Sequence, residues 1–162
     1  MRAYRVRMRD RGCLVVVAGL PGSGKTTEAK RLEATRPGVR FCPDEWMTAL
    51  GASLWDGGVR TRVESLQWTM ALGVLRAHGT AIIEWGTWGR DERERLRAEA
   101  QAEGARTELL YLDVPVDVLW ARIEERGMED PPMKRSDIVS MHAFMQGQAP
   151  DEAERRAFDA LL

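Results

Sequence analysis

The residues best suited to chemistry in this chain are Gly19-Leu20-Pro21-Gly22-Ser23-Gly24-Lys25-Thr26, which fit G-x-x-x-x-G-K-[ST]. Each position has a physical reason. Gly22 and Gly24 allow positive φ and let successive backbone N–H groups approach a polyphosphate. Leu20, Pro21, Ser23 and Thr27 complete the loop around it. Lys25 supplies a mobile positive charge for the β- and γ-phosphates, and the Thr26 hydroxyl is suited to ligate Mg²⁺. The setting agrees. An apolar, β-branched run (13–18) precedes the loop, and strong helix formers (27–34) follow it. Strand, glycine loop and helix N-terminus together make an anion site. The motif predicts a bound nucleoside triphosphate with Mg²⁺.

The rest of the chain must supply a frame for that loop. Strands are expected at 13–18, 39–42, 80–84 and 107–114, because these runs are apolar and bounded by Gly, Pro or Asp. Helices are expected at 25–35, from Asp44 as N-cap, at 60–77, from Asp91 to about 103, at 116–126 behind Pro115, and at 136–145. A last segment begins at Asp151. The stretches 51–58, 85–90 and 127–134 read as loops. Strand alternating with helix over short connections means a parallel sheet covered on both faces.

In such sheets the ligand site lies beyond the carboxyl ends of the strands. Strand ends then nominate Asp44, Glu84 and Asp113. Asp44 has the placement of a group that accepts the proton of an acceptor hydroxyl, and equally that of a helix cap. Glu84 sits where an acidic residue can hold Mg²⁺ or its water, or simply meet solvent. Asp113, directly before a proline-started helix, reads as structural. Arg122 and Arg126 share one helical face; if the following connection is a lid, they close over the phosphates. Segments 51–60 and 85–90 would shape the acceptor site, offering Trp55, Trp85, Trp88 and Arg90, with Trp46 nearby. An aromatic wall would suit a ring-bearing or apolar acceptor, whereas each tryptophan taken alone suits core capping. Trp68 and Trp120 read as core.

Length and composition set the bounds. A chain of 162 residues, 44% hydrophobic and 30% charged, fits one ordinary globular domain. We divide it into an arginine-rich arm (1–12) and a single domain (13–162) with a lid at about 123–137. A net charge of -1 gives no electrostatic case for gripping long nucleic acid or an anionic membrane. Cys13 and Cys42 read as two buried thiols in a reducing, cytoplasmic setting.

Taken together the chain resembles the small P-loop kinases of the zeta-toxin, chloramphenicol phosphotransferase and polynucleotide 5′-kinase group, the AAA-type ATP-binding kinase family. The resemblance rests on residues 19–27, on Asp44-Glu45-Trp46-Met47, and on Glu84-Trp85-Gly86-Thr87-Trp88 followed by Arg90 and Arg93. It also rests on Asp113-Val114-Pro115 with Arg122, Arg126 and Gly127, and extends to 150–152. It implies a three-layer α/β sandwich with parallel strand order 2-3-1-4-5, the fifth strand falling within 158–162, and a short helical lid. It further implies Asp44 as base and Arg122 and Arg126 as lid arginines on ATP. The expected activity is transfer of the γ-phosphate to a hydroxyl of a small molecule. A polynucleotide 5′-hydroxyl kinase and a nucleotide-binding switch that transfers nothing are the alternatives.

Overall fold

The structure, a computed structural model, describes residues 11–127 and 132–162. Most of the expected 1–12 arm, and residues 128–131 of the expected lid, lie outside the described residues.

Leu14 to Ala18 of β1 (Cys13–Gly19) are fully buried, which is why this strand is an unbroken apolar run and not an alternating one. It lies at the centre of the sheet, pairing in parallel with β3 (Thr80–Gly86) and β4 (Arg106–Leu112). Beyond these lie β2 (Gly38–Phe41) and the two-residue β5 (Ala160–Leu161), giving five parallel strands in the order β2-β3-β1-β4-β5.

Successive side chains of β1 feed two cores. Val15 and Val17 meet Ala29 and Leu32 of α1 (Lys25–Thr35). Leu14, Val16 and Ala18 meet Trp68, Ala71 and Leu75 of α3 (Gly57–Arg76), and Leu96 and Ala100 of α4 (Arg90–Ala102). A third cluster caps the carboxyl end of the sheet. There Leu20 packs with Leu119 and Ile123 of α5 (Val116–Arg126) and with Ile138 and Met145 of α6 (Arg135–Gly147). That cluster seats the lid helices against the loop leaving β1.

Strand β4 ends two residues earlier than expected, at Leu112, and four other boundaries shift for local reasons. Helix α2 (Pro43–Ala49) has Cys42 at its cap position and Pro43 in its first turn, so Asp44 is not the N-cap. Proline fits there because its missing N–H would have no partner anyway. Asp91 is likewise one turn-position inside α4, whose cap is Gly89. Helix α3 starts earlier than expected because the Asp56 carboxylate accepts the Val59 N–H at 2.9 Å. Strand β3 runs two residues further, carrying Trp85 and Gly86. Its register against β1 slips between the Val16–Ile83 and Ala18–Gly86 pairs, which puts a bulge at Glu84–Trp85.

Candidate functional site

The loop after β1 is shaped by its glycines. Gly22 and Gly24 take φ of 79° and 95°. A β-carbon on Gly22 would stand 2.9 Å from the Leu119 carbonyl oxygen, so glycine here lets α5 sit directly on the loop. A β-carbon on Gly24, by contrast, would meet nothing within 4 Å, leaving open space at the start of α1. Trp88 donates its indole N–H to the Gly19 carbonyl at 2.9 Å and pins the strand end. The Ser23 hydroxyl oxygen is buried with no hydrogen-bond partner. An orphaned hydroxyl beside an open helix N-terminus fits a nucleotide polyphosphate.

Lys25 folds back over the loop, its ammonium donating to the Leu20 carbonyl at 3.1 Å. Burial holds its pKa below the ordinary lysine value. Glu84 and Asp44 pull the other way, and Arg126 adds to the lowering. Those three groups, from β3, α2 and α5, all lie within electrostatic reach of one ammonium.

The Thr26 hydroxyl donates to one oxygen of Glu84. The other Glu84 oxygen accepts from Arg40 Nη1 at 2.8 Å. Arg40 was not singled out from sequence, yet its side chain is only 8% exposed and is bonded to three carboxylates. Its Nη2 donates to both oxygens of Glu45 at 2.7 Å, and its Nε to Glu33 at 3.3 Å. Burial opposes its charge, and the Glu45 and Glu84 carboxylates overcome that, raising its pKa. Among the described residues no three His, Cys, Asp or Glu side chains cluster as a metal cage. A cation at Thr26 would therefore take its other ligands from phosphate and water, as Mg²⁺ usually does.

Asp44 sits on α2 with its side chain 57% exposed, paired with Arg60 of α3. Arg60 Nη1 also lies 3.6 Å from Glu64, whose pKa burial pushes up. Arg60 was likewise missed. Arg122 of α5 donates to the Gly22 carbonyl at 3.1 Å and so rests on the P-loop itself.

The tryptophans do not form one wall. Trp46 packs on the core, and Trp85 crosses Trp68 edge-on, with centroids 6.3 Å apart, and donates to Gln67 at 2.8 Å. Trp88 serves Gly19. Only Trp55 stands 48% exposed. Arg90 is held by Asp151 at 2.6 Å. Arg93 is fully buried, chelating Glu154 at 2.7 and 2.9 Å and donating to the Thr87, Trp88 and Gln148 carbonyls. It braces the β3–α4 loop, where Thr87 has a φ of 49°. Asp113 accepts from Gln146 and joins the lid base to α6.

The sequence profile of the AAA domain family matches residues 14–150, spanning the P-loop, Asp44, Glu84 and both lid arginines. The chain belongs to this family. A nucleotide-binding protein of Magnetococcus marinus is 34% identical over 120 residues, 73% of this chain and 34% of that protein. Among solved structures, a chain of the Pnkp1/Rnl/Hen1 RNA repair complex superposes with a TM-score of 0.72 at 22% identity, covering 92% of this chain and 47% of that one. Kti12 of Chaetomium thermophilum, solved with ADP-AlF3, gives 0.67 at 21% identity, covering 92% and 88%. This AAA domain therefore spans about a third of the Magnetococcus relative and about half of the RNA-repair chain. Its fold is the one these solved structures share, a five-stranded parallel sheet whose central strand leads into the glycine loop. No helix of the described residues is long and apolar enough to cross a membrane.

Proposed function

We propose that this AAA domain is an ATP- and Mg²⁺-dependent phosphotransferase acting on a hydroxyl of a small molecule. The observation that carries the reading is the P-loop itself, with Ser23 unpartnered at the open start of α1, Thr26 bonded to Glu84 and Arg122 on the Gly22 carbonyl. The P-loop amides and Lys25 hold the polyphosphate, with Leu20, Pro21, Ser23 and Thr27 framing it. Thr26, with Glu84 bonded behind it, would hold the metal, which would supply charge to neutralise the phosphate oxygens. Asp44 takes the acceptor hydroxyl proton after exchanging its bond to Arg60 for one to the acceptor. Arg122 and Arg126 meet the charge developing on the transferred group. The acceptor lies against exposed Trp55, while Trp46, Trp85, Trp88 and Arg90, held by partners of their own, shape the ground behind it. Catalysis is positioning plus electrostatics, with no covalent enzyme intermediate.

The test is phosphate transfer from γ-labelled ATP to nucleosides, sugars, hydroxylated antibiotics and 5′-hydroxyl oligonucleotides, with Asp44→Ala run in parallel. Label on one small acceptor that vanishes in the variant supports the proposal. The likeness to a chain from an RNA repair complex keeps a polynucleotide acceptor as the second reading, supported instead by label on the oligonucleotide alone. ATP binding without any transfer would favour a nucleotide-dependent switch.

A further inference from the structure

Glu84 has two carboxylate oxygens, and the structure gives each a different partner. One takes the Thr26 hydroxyl proton; the other is bonded to Arg40. A threonine that donates its proton to Glu84 keeps its oxygen lone pairs for another partner, such as a cation. Both Glu84 oxygens are then committed, and the carboxylate acts by aiming Thr26. What holds Glu84 in that attitude is Arg40. Its three nitrogens each reach a different element: Nε goes to Glu33 on α1, Nη2 to Glu45 on α2, and Nη1 to Glu84 on β3. The bulge at Glu84–Trp85 places the carboxylate where β2 can meet it, Arg40 standing opposite Ile82, two residues before Glu84.

We infer that Arg40 is a positioning residue for metal-dependent nucleotide binding, acting through Glu84 to orient the Thr26 hydroxyl. The inference rests on the nucleotide reading above. It assigns Glu84 to the support of the metal's hydroxyl ligand and gives Arg40, in a strand far from the motif in sequence, a part in the chemistry. Groups bonded to a metal's ligand, the place Glu84 takes behind Thr26, typically change metal affinity 10–100-fold when lost, and Arg40, one bond further out, falls at the lower end of that range. Lysine is a partial replacement, since a point charge cannot serve three carboxylates in a fixed fork.

The experiment measures the dissociation constant of a fluorescent ATP analogue with EDTA and with Mg²⁺, for wild type, Arg40→Met, Arg40→Lys, Glu84→Gln and the double variant R40M/E84Q. In EDTA, Arg40→Met is expected to bind like wild type, because the P-loop amides and Lys25 are untouched. With Mg²⁺ it is expected to lose about tenfold of the tightening, and Arg40→Lys to recover part of it. The double variant should match Glu84→Gln, since Arg40 acts only through Glu84. It also replaces both members of the buried pair, so the comparison survives if Arg40→Met alone fails to fold. Wild-type Mg²⁺ dependence in Arg40→Met, or a further loss in the double variant beyond Glu84→Gln, would overturn the inference. A wild type that binds no nucleotide in either buffer would overturn the functional reading as well, and so tells the two failures apart.

Discussion

Around Thr26 the side chains that set the geometry are enclosed. Glu84 shows 2% of its side chain, Arg40 8%, and Ser23 is buried. Around Asp44 the opposite holds. Asp44 is exposed, and Leu50, Leu54 and Trp55 on the connection to α3 are open apolar surface, Leu50 by 69%. One half of the site is therefore a finished socket and the other a shelf. A socket suits a ligand whose shape never varies, such as a polyphosphate. A shelf gains its complementarity from what lands on it, and the exposed leucines and tryptophan identify the surface an acceptor would cover.

Substitutions can break this contrast at either side. Asp44→Ala should cost about 10²–10⁴ in kcat, the usual contribution of a general base, while leaving ATP affinity within twofold, measured by steady-state kinetics and calorimetry. Lys25→Met should act on the socket, lowering kcat by about 10²–10³ and weakening nucleotide binding together. Behind the socket, Arg93→Met leaves the buried Glu154 without its two close bonds and with only Arg90, 4.0 Å away. It should lower stability by about 3–5 kcal/mol in urea unfolding. Arg90→Met, which removes an exposed partner of Asp151, should cost about 1 kcal/mol or less in the same assay.

The smallest effect concerns pH. Lys25 has a folded-state pKa below its ordinary value of 10.5, with burial the chief cause. The unfolded chain holds that proton more tightly, so this group's contribution to stability rises with pH between the lowered value and 10.5, and is lost as pH falls through the lowered value. Urea midpoints at neutral and alkaline pH should show that rise in wild type and its disappearance in Lys25→Met. Nucleotide binding should take up protons over the same range.

What the sequence made legible was local. The P-loop and the 25–35 and 116–126 helices emerge as read, because glycines, Pro115 and helix formers act within a few residues of themselves. The strand order came from the resemblance, and the observed sheet has it. Arg40 was not legible, because its role depends on the register of β2 against β3 and on a bulge that no residue type announces. Arg60 was hidden for a similar reason: its pairing with Asp44 depends on how α3 crosses α2. Arg93 entered only through the resemblance, because within a highly charged helix its residue type does not tell the fully buried arginine from its exposed neighbours. The expected tryptophan wall dissolved because Trp85 and Trp88 found fixed partners in Gln67 and Gly19.

The close approach of Leu119 to Gly22 has a mechanical side. Helix α5 bears on the P-loop at that point, and Arg126 lies seven residues further along, a lever arm of about 10 Å at 1.5 Å per residue. A tilt of about a tenth of a radian at the fulcrum carries Arg126 through about 1 Å, a displacement of the size that separates productive from idle geometry in catalysis. A side chain at position 22 would shim that fulcrum. It would be felt at both ends at once, in the left-handed backbone of the loop, which takes a φ of 79° there, and seven residues along α5 as a displaced Arg126.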